Sequence, residues 1–425
     1  MPATVIIGAQ WGDEGKGKIV DRLAESADVV VRYAGGPNAG HTLVVGGQKV
    51  VLRLVPSGAL HAHTTCLLGQ GMVISPATLL EELDALSARG VTLSHRMLLS
   101  RQAHLIFPYH VLVDELREGS EIGTKIGTTK RGIGPCYEDK IGRRGVRVGD
   151  LEKPDELRAK AREALTNWGP IIEALGGSVP GLDTVCDAVL SAAERLLPLL
   201  GDVSLRLDAE LAAGKRAMLE GAQGTRLDID NGTYPFVTSS SAVAGGACTG
   251  AGIGPTRIDR VLGITKAYTT RVGAGPFPTE LDDAAGHHLR SVGHEFGSVT
   301  GRPRRTGWLD LAALRYARRV NGIDGLALTK LDVLSGLEEL KVCIGYRSEH
   351  GELRELSPEV LDVTPVYASL PGWKESLKGL RDLSELPTTA RKYLDYIEEG
   401  AGVRIDIVSV GPGRDETIEL RPGLA

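Results

Sequence analysis

The stretch Gly8-Ala9-Gln10-Trp11-Gly12-Asp13-Glu14-Gly15-Lys16-Gly17-Lys18 decides the fold. An apolar run, Thr4-Val5-Ile6-Ile7, leads into it and reads as a first β-strand. Glycines then punctuate a loop carrying acids and lysines. Glycine frees backbone N–H groups to point at phosphate oxygens, and lysine reaches the same oxygens. Gly12, Gly17 and Lys18 fit the G-x-x-x-x-G-K spacing of a phosphate loop. Ile19 follows, where such a loop carries Ser or Thr to hold Mg²⁺. The metal then needs another ligand. Asp13 is the obvious candidate, with a role as a base as the alternative.

Outward from this loop, strands alternate with helices. Val29–Tyr33 reads as a second strand, after a helix over about 18–24. Leu43–Leu54 reads as a hairpin turning at Gly46-Gly47, and Thr64–Leu68 as a strand. Pro76–Ala88 reads as a helix capped by Ser75, with Leu79, Leu80, Leu83 and Leu86 on one face. Residues from Glu152 to Leu200 read as helices broken at Gly176-Gly177 and Pro180. Further strands are expected at 217–219, within 257–266, at 326–328 and at 405–410, with a helix over Asp310–Asn321. The expected fold is α/β: an open, mostly parallel central sheet with flanking helices, a P-loop-like phosphate loop after the first strand and helical insertions. The domain expectation is a single large α/β enzyme domain over 1–425, with a mainly helical insertion at about 151–200.

Composition narrows the function. The chain has 425 residues, of which 42% are hydrophobic and 24% charged, as in an ordinary soluble globular protein. A formal charge of −5 and scarce aromatics argue against a nucleic-acid partner. Cys66, Cys136, Cys186, Cys248 and Cys343 form no C-x-x-C pair, so neither a zinc knot nor a disulfide framework is expected. With no leader segment and no apolar run of spanning length, the expectation is a cytoplasmic protein with no membrane partner.

Other loops carry chemistry. Thr329-Lys330-Leu331-Asp332 follows a short strand; its carboxylate suits the N1–H and N2 amine of guanine, and adenine offers the opposite pattern. His41, among glycines and Asn38 in the loop after the second strand, comes near the first loop if those two strands are adjacent. Asp13 and His41 then act as acid and base on one ligand. Two basic, glycine-laced segments, 127–145 and 301–307, suit phosphates and carboxylates, with a solvated basic face as the plain alternative.

These motifs, in this order and over nearly the whole chain, closely resemble those of the adenylosuccinate synthetase family. The matching blocks are 10–18, 36–42, Gly127-Thr128-Thr129, Gly132-Ile133-Gly134-Pro135, Glu220-Gly221-Ala222-Gln223-Gly224, Thr300-Gly301-Arg302, 329–332 and Ser409-Val410-Gly411-Pro412. The resemblance implies a GTP-dependent ligase that joins IMP to L-aspartate through a 6-phosphoryl-IMP intermediate, the first committed step from IMP to AMP. It implies catalytic roles for Asp13, His41, Lys16 and Gln223. It implies a GTP site of Gly12, Asp13, Glu14, Gly15, Lys16, Gly17, Lys18, Gly40, His41, Thr42, Arg304, Lys330, Leu331, Asp332, Ser409, Val410 and Gly411. For IMP it implies Asp13, Asn38, Ala39, Gly40, His41, Thr128, Thr129, Arg143, Gln223, Thr238 and Arg302. For L-aspartate it implies Ser298, Val299, Thr300, Gly301, Arg302 and Arg304. One Mg²⁺ per subunit on Asp13 and the Gly40 backbone oxygen, and a homodimer in which Arg143 reaches the neighbouring active site, complete the implied set. Three positions depart from common family residues: Lys130, Arg226 and Pro303.

Overall fold

Short apolar runs such as Val5-Ile6-Ile7 and Val29-Val30-Val31 lack the alternation of a half-exposed strand, and both faces of these strands are buried. That is the demand of a parallel sheet covered on both sides. The computed structural model, which describes residues 3–38, 40–45, 48–121, 125–297, 301, 303–349, 351–358 and 362–421, meets it with a ten-stranded sheet. In spatial order the strands are Thr417–Glu419, Ile405–Ser409, Gly325–Thr329, Arg260–Lys266, Ala3–Gly8, Ala217–Glu220, Val29–Arg32, Thr65–Leu68, Met97–Ser100 and Leu200–Gly201. Every pairing is parallel except the one between Ile405–Ser409 and the edge strand Thr417–Glu419.

The order settles a condition that the sequence left open. The first and second strands are not neighbours, because Ala217–Glu220 pairs with both and lies between them. The chain leaves Ala3–Gly8 toward one edge and later fills the other side with Arg260–Lys266, Gly325–Thr329 and Ile405–Ser409. The first loop thus opens where the strand order reverses, the place where open α/β sheets bind ligands.

The second strand ends at Arg32, and the first helix, Lys16–Leu23, starts earlier than the sequence reading had it. It buries Ile19, Val20 and Leu23 in one cluster with Ile6, Val30, Met218, Ile264, Ala327 and Ile407. Burial of each such aliphatic side chain contributes about 1.5–3 kcal/mol. The opposite face is packed by Ile7, Val31, Leu219, Leu326 and the helix Leu311–Asn321. The hairpin strands His41–Val45 and Gln48–Leu52 pair antiparallel, while Gly46-Gly47 lies outside the described residues.

Helices Pro154–Ala174, Leu182–Leu190 and Ala193–Leu196 occupy the segment before Leu200. They bury Trp168, Cys186 and Leu196 in one cluster with Leu99 and Phe107. Asp139 anchors this packing, accepting from Trp168 Nε1 at 3.0 Å and from Arg144 Nε at 2.7 Å and pairing with His110 Nε2 at 2.9 Å.

Candidate active site

Left-handed backbone shapes the first loop: φ is 84° at Gly12, 58° at Asp13 and 86° at Gly15. Glycine adopts such angles without a steric penalty, and Asp tolerates them better than most residues. The Glu14 carboxylate, fully buried, turns into the loop and accepts N–H groups of Gln10 at 3.1 Å and Gly12 at 2.9 Å. Lys16 Nζ lies 2.6 Å from the same carboxylate. Asp13 points the other way and stays about a third exposed, taking Arg304 Nε on Oδ2 at 2.8 Å.

Lys18 departs from the phosphate-loop reading. Its Nζ donates to Ser409 Oγ at 2.6 Å, to the Gly411 carbonyl at 2.7 Å and to the Glu416 carbonyl at 2.9 Å. It ties the first helix to the loop after the strand Ile405–Ser409 rather than reaching over the phosphate loop. Burial pushes its pKa down to about 8, against the pull of Asp332 and Glu416. Asp332 follows a left-handed Lys330, φ 64°, and burial raises its pKa. Lys330 Nζ itself donates to the Gly293 carbonyl at 2.7 Å. Leu331 and Val410 are buried.

His41 reaches the first loop despite the intervening strand. It opens the hairpin that lies on the helix Lys16–Leu23, and a Cβ placed on Gly17 would stand 2.9 Å from His41 Cβ. Glycine is therefore required at position 17 for close approach. His41 Nδ1 bonds Glu220, which the sheet register places beside Arg32 on the adjacent strand. Glu220 also accepts the N–H and Oγ–H of Ser57, each at 2.8 Å. Burial alone would raise the Glu220 pKa; His41, Arg32 and the Ser57 N–H outweigh it and hold it at about 2. For His41, burial wins and lowers the pKa despite Glu220.

Gln223 sits at φ 52° and its Oε1 accepts Ser240 Oγ at 3.4 Å; Ser240 in turn bonds Thr238 Oγ1 at 3.4 Å. Asn38 Oδ1 accepts the Gly36 N–H at 3.3 Å. Thr129, Lys130 and Arg131 line one cavity with Pro37, which joins the 127–134 segment to the 35–42 loop. Thr128 Oγ1 accepts the Lys130 N–H at 3.3 Å. Arg143, φ 61°, is exposed on the turn after the helix Ile133–Ile141 and pairs with none of the other candidate residues described.

Ala39, Ser298, Val299, Thr300 and Arg302 lie outside the described residues, as does the Thr42 side chain; Gly301 has φ 65°. Arg226 is buried away from solvent: it donates to the Leu356 carbonyl at 2.7 Å and lies over the rings of Tyr316 and of Trp11 in the first loop.

Among the buried side-chain atoms with no hydrogen-bond partner, three belong to candidate residues from separate parts of the chain: His41 Nε2, Gln223 Nε2 and Asp332 Oδ1. Buried polar atoms are rarely left so unless a ligand or water completes them. Sequence reasoning gave no role to Glu220, Arg32, Ser57, Glu295 or Lys266. Glu220 lay inside a recognised motif, and nothing local marked the others.

An open parallel sheet whose crevice gathers a phosphate loop, buried carboxylates and unmet polar atoms is the frame of a nucleotide-dependent α/β enzyme. The family model for adenylosuccinate synthetase matches residues 5–418. The adenylosuccinate synthetase of Sorangium cellulosum is 58% identical, with both chains covered in full, and that of Myxococcus xanthus is 54% identical over 99% of each chain. A fully ligated adenylosuccinate synthetase from Plasmodium falciparum superposes with a TM-score of 0.93 at 39% identity, covering 98% of this chain and 99% of that one. The chain belongs to the adenylosuccinate synthetase family and is a GTP-dependent ligase of purine nucleotide synthesis. Among the described residues no helix is long and apolar enough to cross a membrane.

Proposed function

We propose that this crevice joins IMP to L-aspartate in two steps, with Asp13, His41 and Gln223 at the reacting atoms. Asp13 takes the proton from N1 of IMP. The charge moves to O6, which attacks the γ-phosphorus of GTP as the bond to the bridging oxygen of GDP breaks. His41 stabilises charge at that bridge, and Gln223 holds the purine. The aspartate amine then attacks C6 of the 6-phosphoryl intermediate, and inorganic phosphate leaves. Phosphorylation is needed because a ring C6 oxygen is otherwise a poor leaving group.

The observation that carries this reading is that three candidate residues hold buried atoms without a partner, His41 Nε2, Gln223 Nε2 and Asp332 Oδ1. Each supplies what one part of the reading needs: phosphate, hypoxanthine and guanine contacts. Lys16 and the loop glycines bind GTP phosphates, while Asp332, Ser409 and Gly411 read guanine. Asn38, Thr129, Thr238 and Arg302 hold IMP, and the 298–304 loop takes L-aspartate. No cluster of three or more His, Cys, Asp or Glu able to hold a metal occurs among the described residues. Asp13 with the Gly40 carbonyl, both hard oxygen donors, fits Mg²⁺, which takes its other ligands from phosphates and water. When bound, Mg²⁺ neutralises charge developing on the transferred phosphoryl group.

The exposed Arg143, on the turn after the helix Ile133–Ile141, supports a homodimer in which it completes the partner's IMP site. Phosphorylated substrates and five free cysteines support a cytoplasmic setting. The test is phosphate release from GTP with Mg²⁺, with IMP and L-aspartate omitted in turn. Release should require all three substrates and match adenylosuccinate formed. Hydrolysis indifferent to IMP and L-aspartate would overturn the reading.

A further inference from the structure

We infer that Glu220 is the positioning residue for His41: it holds the imidazole ring in place and fixes its tautomer for phosphoryl transfer. This rests on the reading of His41 as the group facing the GTP phosphates.

The arrangement begins in the sheet register. Ile6, Glu220 and Arg32 are partners on three adjacent strands, so their side chains share one face at the carboxyl ends of the strands. The hairpin brings His41 down onto that face, and the missing Cβ of Gly17 lets the ring close in. Glu220 is fully buried, and so is Arg32. Three donors converge on the carboxylate: His41 Nδ1, Ser57 N–H and Ser57 Oγ–H. Arg32 Nη1 stands 4.0 Å away, and its guanidinium has no hydrogen-bond partner of its own.

An ionised carboxylate only accepts hydrogen bonds, so the proton between the two groups belongs to Nδ1. Nε2 is then the free end of the ring, and it is buried without a partner. Glu220 takes no proton itself, because Arg32 and Ser57 favour the carboxylate form, so it holds Nδ1–H and with it the plane in which Nε2 points. The relation is that of the buried carboxylate behind a catalytic histidine in other enzymes. A purely structural reading gives Glu220 only the task of pinning the Ser57–Leu60 turn to the sheet.

Histidine ¹⁵N NMR of the unliganded enzyme decides the tautomer without any variant: a proton on Nδ1 of His41 is expected, and Nε2–H alone would overturn the inference. Glu220→Gln should lower kcat about 10²-fold, in the range of acid–base contributions, with KM for GTP and IMP within threefold of wild type. The double variant Glu220→Gln/His41→Asn should be no slower than His41→Asn alone. A kcat for Glu220→Gln within threefold of wild type, or multiplying losses in the double variant, would overturn it. If Glu220→Gln does not fold, Glu220→Asp keeps the charge but withdraws it by one methylene, and the same loss in kcat is expected. A normal kcat in His41→Asn would instead sink the reading of His41 on which this rests.

Discussion

Arg304 bridges Asp13 and Glu295: its Nε donates to Asp13 Oδ2 at 2.8 Å and its Nη1 to Glu295 Oε2 at 2.8 Å. One guanidinium thus links the proposed base, on the first loop, to a buried carboxylate after the helix Ala284–Val292. The bridge covers one oxygen of Asp13, the residue proposed to meet both Mg²⁺ and the purine. Asp13 is about a third exposed, so solvent screens the pair and its contribution to stability is small. Asp13→Asn keeps the side-chain shape. It should change unfolding free energy by less than about 1 kcal/mol yet lower turnover at least about 10³-fold. Urea melts beside steady-state rates check this, and retained turnover would remove Asp13 as the base.

Lys18 gives a pH dependence with a defined sign. Below about pH 8 its three N–H donors meet three acceptors, Ser409 Oγ and the Gly411 and Glu416 carbonyls. Above that pH the amine loses a proton, and one acceptor loses its donor. KM for GTP should therefore rise above about pH 8, and Lys18→Met should raise it about tenfold at neutral pH. The folded pKa lies below the ordinary 10.5, so the unfolded chain binds more protons between about pH 8 and 10.5. Lys18 therefore makes folding more favourable as pH rises through that window, and a KM increase there is not incipient unfolding. A flat KM for GTP across this range would contradict the role.

Gly17→Ala sets two magnitudes against each other. Alanine is the better helix former by about 1 kcal/mol. The new Cβ, however, would stand 2.9 Å from His41 Cβ and 3.2 Å from Leu43 Cδ2. Overpacking of this kind costs about 1–3 kcal/mol, so net destabilisation is expected. The hairpin must shift, carrying His41 away from Glu220, and kcat should fall with it. Calorimetry and kcat together check the point; a variant more stable than wild type would show the hairpin to be loosely held.

Glu295 anchors the other end of the bridge. It accepts Lys266 Nζ at 2.8 Å and hydrogen-bonds Tyr268. Burial alone would raise its pKa, but Lys266, Lys330 and Arg304 outweigh this and hold it at about 2, against the usual 4.5. A depressed carboxyl contributes stability above its unfolded pKa and loses it as pH falls, here between about 4.5 and 2. Glu295→Gln should flatten that acid limb in thermal melts. It should also destabilise the protein at neutral pH by about 3–5 kcal/mol, since Lys266 is left buried without its counter-ion. An unchanged acid limb would place the acid sensitivity elsewhere.

Much of this architecture was legible because its signals are local. The glycine spacing of the first loop, the Ser75 cap and the apolar runs each depend on residues a few positions apart. Whether the first two strands are neighbours was not legible, because a parallel sheet leaves room for a strand supplied some two hundred residues later. Lys18 shows a related limit: spacing fixes its place on the helix, but the tertiary fold chooses its acceptors.

The sequence by itself determined the strand–loop–helix start, the α/β class, the family and the candidate residues carried in its motifs. These follow from backbone angles, hydrophobic runs and motif order, which are written in consecutive residues. The tertiary structure alone decided that Glu220 stands behind His41, that Arg304 joins Asp13 to Glu295 and that Lys18 braces the loop at Ser409. Each of these pairs residues far apart in the chain, and only sheet order and register bring their charges within a hydrogen bond of one another.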